Sequence, residues 1–302
     1  MGESDQIRPL LPITASQKDL ESVAEALLSE NTYINAPEIE TSDSTPAIGV
    51  RDPKSYLILP GQSKYGKFSY PEMLVTKRRL ADSAEVQKAA QSLGSTITNT
   101  ALQKDGYAYD YIGNVNWSRA LSLNLTLGGR TLHPRQHADL RKMLQDGIDN
   151  NLKVYDGSRA TVPKGELQEI YNDILKTGNY RGEWLDADFK FIDGKLWIYS
   201  GHQLKGGKLE PQIKEPLESG NVMEDCLVDL KFNRQGFPTA KSSLNDYQQG
   251  KNIHSYFPRS DNNSVAWFGA GSGWAGLYCD VGPSSGDGVL GVRAAKILGG
   301  NK

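Results

Sequence analysis

Residues 264–297 read SVAWFGAGSGWAGLYCDVGPSSGDGVLGVRAAKI, and the reading of this stretch decides the fold. Seven of the 21 residues from 269 to 289 are glycine, out of 31 in the whole chain. By composition alone such a stretch is a flexible linker. Its flanks argue otherwise, because Ser264–Phe268 and Val289–Ile297 are apolar and strand-like. Its interior also keeps a period of two. Ala275, Leu277 and Cys279 are small and apolar and predict the inward face of a strand. Trp274, Gly276, Tyr278 and Asp280 alternate with them and predict the outward face. The inward set is uniform in kind, whereas the outward set is an indole, a hydrogen, a phenol and a carboxylate. Regular support beneath heterogeneous exposed groups points to a binding surface rather than to a hinge.

Working outward, the 302 residues with a formal net charge of −2 exclude a protein that holds nucleic acid by broad electrostatics. No apolar run is long enough to span a bilayer. Met1–Pro12 lacks the basic and apolar regions of a secretory signal, so the expected location is cytoplasmic by default. Two cysteines cannot build a disulfide scaffold.

Residues 1–51 read as an appendage. Ser16–Ser29 has the spacing of an amphipathic helix capped by Ser16, and Asn35–Pro46 is an acidic, proline-broken arm. Strands are expected at Ser55–Pro60 and Phe68–Lys77, and an extended aromatic segment at Tyr107–Trp117. Helices are expected at Ala81–Leu93, at Leu132–Ile148 with Thr131 as cap, and at Lys164–Leu175. Asp193-Gly194 between alternating runs predicts a hairpin, Gly206-Gly207 a second tight turn, and the remainder to Arg259 reads mostly as loop. The fold class is therefore α+β, with helices early and a short-stranded, loop-rich C-terminal half.

The segment from NNSVAWF through A-x-L-x-C to LGVRAAKI resembles the variable proteins of diversity-generating retroelements. It is most similar to the archaeal ones, which have the C-type lectin fold of the formylglycine-generating-enzyme kind. The resemblance is sharpest over 255–297; YLILPGQSKYGKFSYPEMLV and EWLDADFKF fit earlier parts of the same domain. It implies a lectin-type domain over 52–302 with a variable ligand-binding region at about 264–297. The scaffold positions would be Ala270, Ser272, Ala275, Leu277, Cys279, Pro283, Ser284, Leu290, Gly291, Val292 and Arg293. The variable, ligand-binding positions would be Gly269, Gly271, Gly273, Trp274, Gly276, Tyr278, Asp280, Val281, Gly282, Ser285, Gly286, Asp287, Gly288 and Val289. Most of these are residue types reached by mutating adenines in a template codon. Trp274 departs from that pattern, since an AAC or AAT codon does not yield Trp in this way.

The implied function is non-enzymatic binding of a varied target, a protein or cell-surface molecule, by a monomer without nucleic-acid or membrane partners and without a cofactor. Trp274 and Tyr278 would be the anchors. If so, Trp274→Ala and Tyr278→Ala are expected to leave stability nearly unchanged, and Leu277→Asp to unfold the domain. Asp280 and Asp287 are the only charges from 269 to 292, which favours a cationic or donor-rich ligand.

The alternative is an oxidoreductase on the same fold, of the formylglycine-generating or sulfoxide-synthase type. The former use two neighbouring cysteines, but Trp274 stands five residues before Cys279, and the other cysteine, Cys226, is far upstream. Cys279 then reads as a small buried hydrophobe. His133, His137 and Asp139 have metal-ligand spacing and loosely resemble the H-x-x-x-H-x-E motif of sulfoxide synthases. Pro134 and the Asp in place of Glu depart from it, and two surface or capping histidines is the reading adopted. Glu183, Asp186 and Asp188 can do acid–base work or bind calcium, the one cofactor the residues leave open. As an edge strand they would instead meet Arg181, Lys190 or a nearby helix.

Overall fold

Asp193 and Gly194 turn the chain with left-handed φ values of 50° and 74°. They join β4 (Arg181–Ile192) to β5 (Lys195–Ser200), with Ile192 opposite Lys195. Positive φ at both central residues is what a two-residue hairpin of matching twist requires. Gly206 and Gly207 make the second such turn, between β6 (Gln203–Lys205) and β7 (Lys208–Glu210). The structure, a computed structural model, describes residues 52–81, 83–93, 111–175, 181–259, 261, 263–271, 273–286 and 290–298. The helix expected at 16–29, the arm at 35–46 and the whole of 1–51 lie outside the described residues, as do Ser272, Asp287, Gly288 and Val289.

The fold is mixed α+β, with its main sheet curled into a half-barrel. That sheet runs β8-β5-β4-β11-β12-β10-β9, and β13 pairs with β4. Here β8 is Ile213–Pro216, β9 Cys226–Asp229, β10 Asn252–Tyr256, β11 Ser264–Gly271, β12 Trp274–Val281 and β13 Leu290–Gly291. A smaller sheet, β1-β2-β14-β3, pairs Tyr56–Leu59, Met73–Thr76, Ala294–Ile297 and Arg130–Thr131, so the last strand returns to the first hairpin.

Four α-helices lie among the described residues. Ser83 caps α1 (Ala84–Ser92) by accepting from the Val86 N–H, and Asn116 caps α2 (Trp117–Thr126) by accepting from the Arg119 N–H. In α3 (Pro134–Asp149) His133 and Gln136 form a reciprocal capping box, with Pro134 at the first turn. The cap is thus His133 and not Thr131, whose hydroxyl instead accepts from the Asn124 amide. The fourth helix, α4, spans Lys164–Leu175 as its leucine and isoleucine stripe predicts.

Both faces of the main sheet are covered. Leu185, Ala187, Phe189, Ala266, Phe268, Ala270, Ala275, Leu277 and Cys279 share one core with apolar residues of α3, α4 and the small sheet. Trp184, Val265 and Trp267 share the other with residues of α1 and α2, and with Leu290 and Val292. One expectation needs correction. β4 is a central strand between β5 and β11, not an edge. The stretch from 206 to 259 is mostly loop, as expected, yet the short strands β8, β9 and β10 within it complete the main sheet. The helix α2, not among the expected elements, begins at Trp117, where the segment read as extended ends; 107–110 of that segment lie outside the described residues.

Candidate functional site

The inward phase of β12 holds: Ala275, Leu277 and Cys279 are all buried. On the other face, strand register arranges side chains in rows. Tyr256, Tyr278, Trp267 and Trp184 lie in register across β10, β12, β11 and β4. The next row is His254, Gly276, Gly269 and Gly182 across the same strands. An aromatic row thus runs beside a row that is three-quarters glycine.

The glycines are seats for the rings. A Cβ on Gly269 would fall 2.1 Å from Cζ3 of Trp267, and one on Gly182 3.0 Å from Cε3 of the same indole. A Cβ on Gly271 would fall 2.9 Å from the Trp274 ring. Because no side chain rises from these positions, the indoles lie across the neighbouring backbone. Tyr278 then stacks between Trp267 (centroids 4.0 Å apart, 11° between planes) and Tyr256 (4.3 Å, 11°), and Trp274 meets it edge-on at 5.6 Å. His254 extends the stack beyond Tyr256 at 6.3 Å. His254, Tyr256, Trp274 and Tyr278 are half-buried. They form a continuous aromatic strip with offset and edge-to-face geometries that rings prefer.

Asp280 follows on β12, also half-buried. Its Oδ1 is sealed from solvent and meets no side-chain donor among the described residues. Burial raises its carboxyl above the usual range; a hydrogen bond from its own backbone and Arg259 oppose the shift, and Asp225 adds to it. An acceptor in this state favours a ligand that brings an N–H or a cation. Val281 packs against the second core. Beyond it Gly282 is buried, and its carbonyl accepts from the Ser285 N–H at 3.0 Å, closing a turn whose tip, Ser284–Gly286, is exposed. Gly273 makes the β11–β12 turn at φ 82°.

Of the positions expected to bind ligand, the structure therefore brings Trp274, Tyr278 and Asp280 onto one surface and sets Ser285 and Gly286 at its end. Gly269 and Gly271 lie under indoles, and Gly276 lies between Tyr278 and the backbone of His254. Asp287, Gly288 and Val289 lie outside the described residues. The sequence reading missed His254, Tyr256 and Trp267. The i, i+2 pair His254-x-Tyr256 carries the signal, but only the parallel pairing of β10 with β12 gives it meaning. The anchors also differ from expectation: with Trp267 and Tyr256 stacked on its two faces, Tyr278 contributes to stability as well as offering surface.

The remaining candidates take structural parts. The Arg293 guanidinium donates to the Glu183 carboxylate at 2.9 Å and to the Thr76 and Lys77 carbonyls, and lies 3.4 Å from Asp173. Asp173 also accepts from Arg79 and Arg181. His137 Nε2 lies 2.7 Å from Glu183 Oε1. Burial works to raise the Glu183 carboxyl, but Arg293, His137 and Arg79 outweigh it and hold the group far below the usual range. Burial lowers His137 to about 4, so at neutral pH its uncharged ring donates from Nε2. Burial also lowers His133, to about 3, and its Nδ1 accepts from the Arg135 N–H. Of the two histidines read as surface or capping residues, His133 is a cap and His137 is neither, being buried against Glu183.

Asp139 accepts from Arg135 and from the hydroxyls of Tyr65 and Tyr70. Asp186 holds His202, and Asp188 holds Lys190 at 3.1 Å. Among the described residues no three His, Cys, Asp or Glu side chains converge as a metal group. Cys226 and Cys279 are both free thiols, on β9 and β12 with β10 between them. Two strand spacings are about 9.6 Å, beyond the roughly 7 Å that a disulfide spans. Burial pushes the Cys279 thiol well above its ordinary value, so it is not a ready thiolate. The chain matches no known protein family, no curated protein and no solved structure.

Proposed function

We propose that this chain is a non-enzymatic ligand-binding protein with a C-type lectin fold. Its binding surface is the aromatic strip of His254, Tyr256, Tyr278 and Trp274 together with Asp280, and the members of that surface within 264–297, Trp274, Tyr278 and Asp280, are diversified by a retroelement. One observation carries the reading: half-buried rings tile two adjacent strands, β10 and β12, and end at a carboxylate whose buried Oδ1 meets no side-chain donor among the described residues. Rings held in place by stacking bind at little conformational cost, and a waiting acceptor adds directionality. The ligand class that fits has an apolar or aromatic face and a cationic or donor-rich group.

The retroelement component rests on the resemblance of 264–297 and is tested in the flanking DNA. The expected finding is a near-copy of the 264–297 coding region, differing mainly at adenines, beside a reverse-transcriptase gene. A flank without such a copy overturns diversification and leaves the binding surface to be tested through Asp280→Asn and Trp274→Ala. Copper or iron bound stoichiometrically to the purified protein and lost in Cys279→Ser would instead establish the oxidoreductase.

A further inference from the structure

A second site lies on the opposite face of the main sheet, where α3 and α4 pack. Arg141 of α3 is 6% exposed, and among the described residues no carboxylate forms an ion pair with it and its buried Nε meets no acceptor. Burial lowers its pKa only to about 10, so it remains a cation at neutral pH. Two rings flank it, Phe268 at 4.5 Å and Phe232 at 5.2 Å. Ring faces offset part of the desolvation of a cation, but they accept none of its in-plane N–H bonds. The other buried arginines each have a carboxylate partner: Arg79, Arg181 and Arg293 share Asp173 and Glu183, and Arg135 pairs with Asp139. Arg141 feels Glu183 only at longer range and makes no ion pair with that network.

Arg141 lines a cavity of about 530 Å³, within the range of small-molecule sites. Tyr171 of α4 lines it too. Its hydroxyl is buried without a partner among the described residues, and the residue is 5% exposed. Two unsatisfied buried donors thus meet at one cavity. The other charged residues lining it are Lys64, Arg135, Asp139, Lys142 and Asp146. Asp139 is held by Arg135 at 2.6 Å and Asp146 by Lys142 at 2.9 Å, so neither is available to Arg141 and the cavity keeps an excess of positive charge. The rest of the wall is largely leucine, methionine and Phe232.

We infer that this cavity binds a small organic carboxylate, its head group taken by the Arg141 guanidinium and the Tyr171 hydroxyl and its apolar body lying along the Phe232 wall. The planar fork of an arginine matches a carboxylate, and the missing negative charge at Arg141 is the one such a ligand supplies. The site is independent of the aromatic strip, which faces away from α3.

Thermal denaturation of the full chain tests this, with benzoate as probe, benzamide as its uncharged counterpart and inorganic phosphate as a tetrahedral anion. Benzoate is expected to raise Tm saturably, by about 4 °C at roughly tenfold excess over Kd, with benzamide and phosphate inactive. Arg141→Met is expected to fold with a Tm near that of the wild type in probe-free buffer, because it removes an uncompensated buried charge, and to lose the benzoate response. Tyr171→Phe should fold and bind benzoate several-fold more weakly. An equal response to benzoate and benzamide, or none to either, overturns the site. A larger response to phosphate overturns the carboxylate assignment. Should Arg141→Met fail to fold, the cation is structural, and a benzoate response unchanged in Tyr171→Phe completes the refutation.

Discussion

Tyr278 carries three ring contacts at once, with Trp267, Tyr256 and Trp274. Such pairs contribute about 0.5–1.5 kcal/mol each, so Tyr278→Ala is expected to lower stability by roughly 2–4 kcal/mol in denaturant titration, and Tyr278→Phe by far less. Leu277 faces the other way and is buried among α4-side residues; Leu277→Asp places a carboxylate where nothing compensates it and is expected to leave no cooperative transition. Gly269→Ala sets a methyl group where Cζ3 of Trp267 now lies, so the indole must move. The expected result is a loss of about 1–3 kcal/mol and a red shift of tryptophan emission, both largely relieved in a Gly269→Ala/Trp267→Leu double mutant. Additivity in that double mutant would refute the contact. At this scale the alternation of Ala275, Leu277 and Cys279 was legible, because period two is a property of a single strand. The seat beneath each indole was not, since it depends on which strand lies alongside.

Among the elements, those with a long period could be read. α3 and α4 show apolar stripes over several turns, and the Asp-Gly hairpin is a local signal. β9 and β10 have four and five residues, too few to show a pattern between polar loops. α2, WSRALSLNLT, disguises its stripe with Ser118, Ser122 and Asn124, and Asn124 is itself buried, donating to Thr131 and to the Arg293 carbonyl. Arg293 was assigned to the scaffold from its G-V-R setting, and the structure supplies the cause. One guanidinium links the residues after β13 to Glu183 of β4 and to the end of β2. Arg293→Met strands Glu183 beside His137 and is expected to cost about 3–5 kcal/mol by chemical denaturation. A loss under 1 kcal/mol would show the link to be incidental.

For the molecule as a whole, the two buried histidines set an acid limit. His137 faces Glu183, Arg141 and Arg293; His133 faces Asp186 and Arg135. Both have folded pKa values, about 4 and about 3, below the ordinary 6.5, so the unfolded chain binds more protons between these limits. Stability is therefore full above pH 6.5 and declines as pH falls toward 4, each histidine adding a slope approaching about 1.4 kcal/mol per pH unit. Glu183, with its depressed carboxyl, adds a further loss below its ordinary range. Tm measured from pH 7 to 4.5 should fall throughout, and less steeply in His137→Gln. A flat profile would contradict the burial of both rings.

The glycine row across β10, β12, β11 and β4 also bears on how variation spreads over this surface. Positions 269 and 271 are not independent letters, because each shares its space with a tryptophan. A library that randomised them singly would spend most of its members on chains that misfold. One that exchanged Gly269 together with Trp267, and Gly271 together with Trp274, would move whole bulky groups from one strand position to another and keep the volume constant. Shape diversity on this face is therefore counted in pairs of residues.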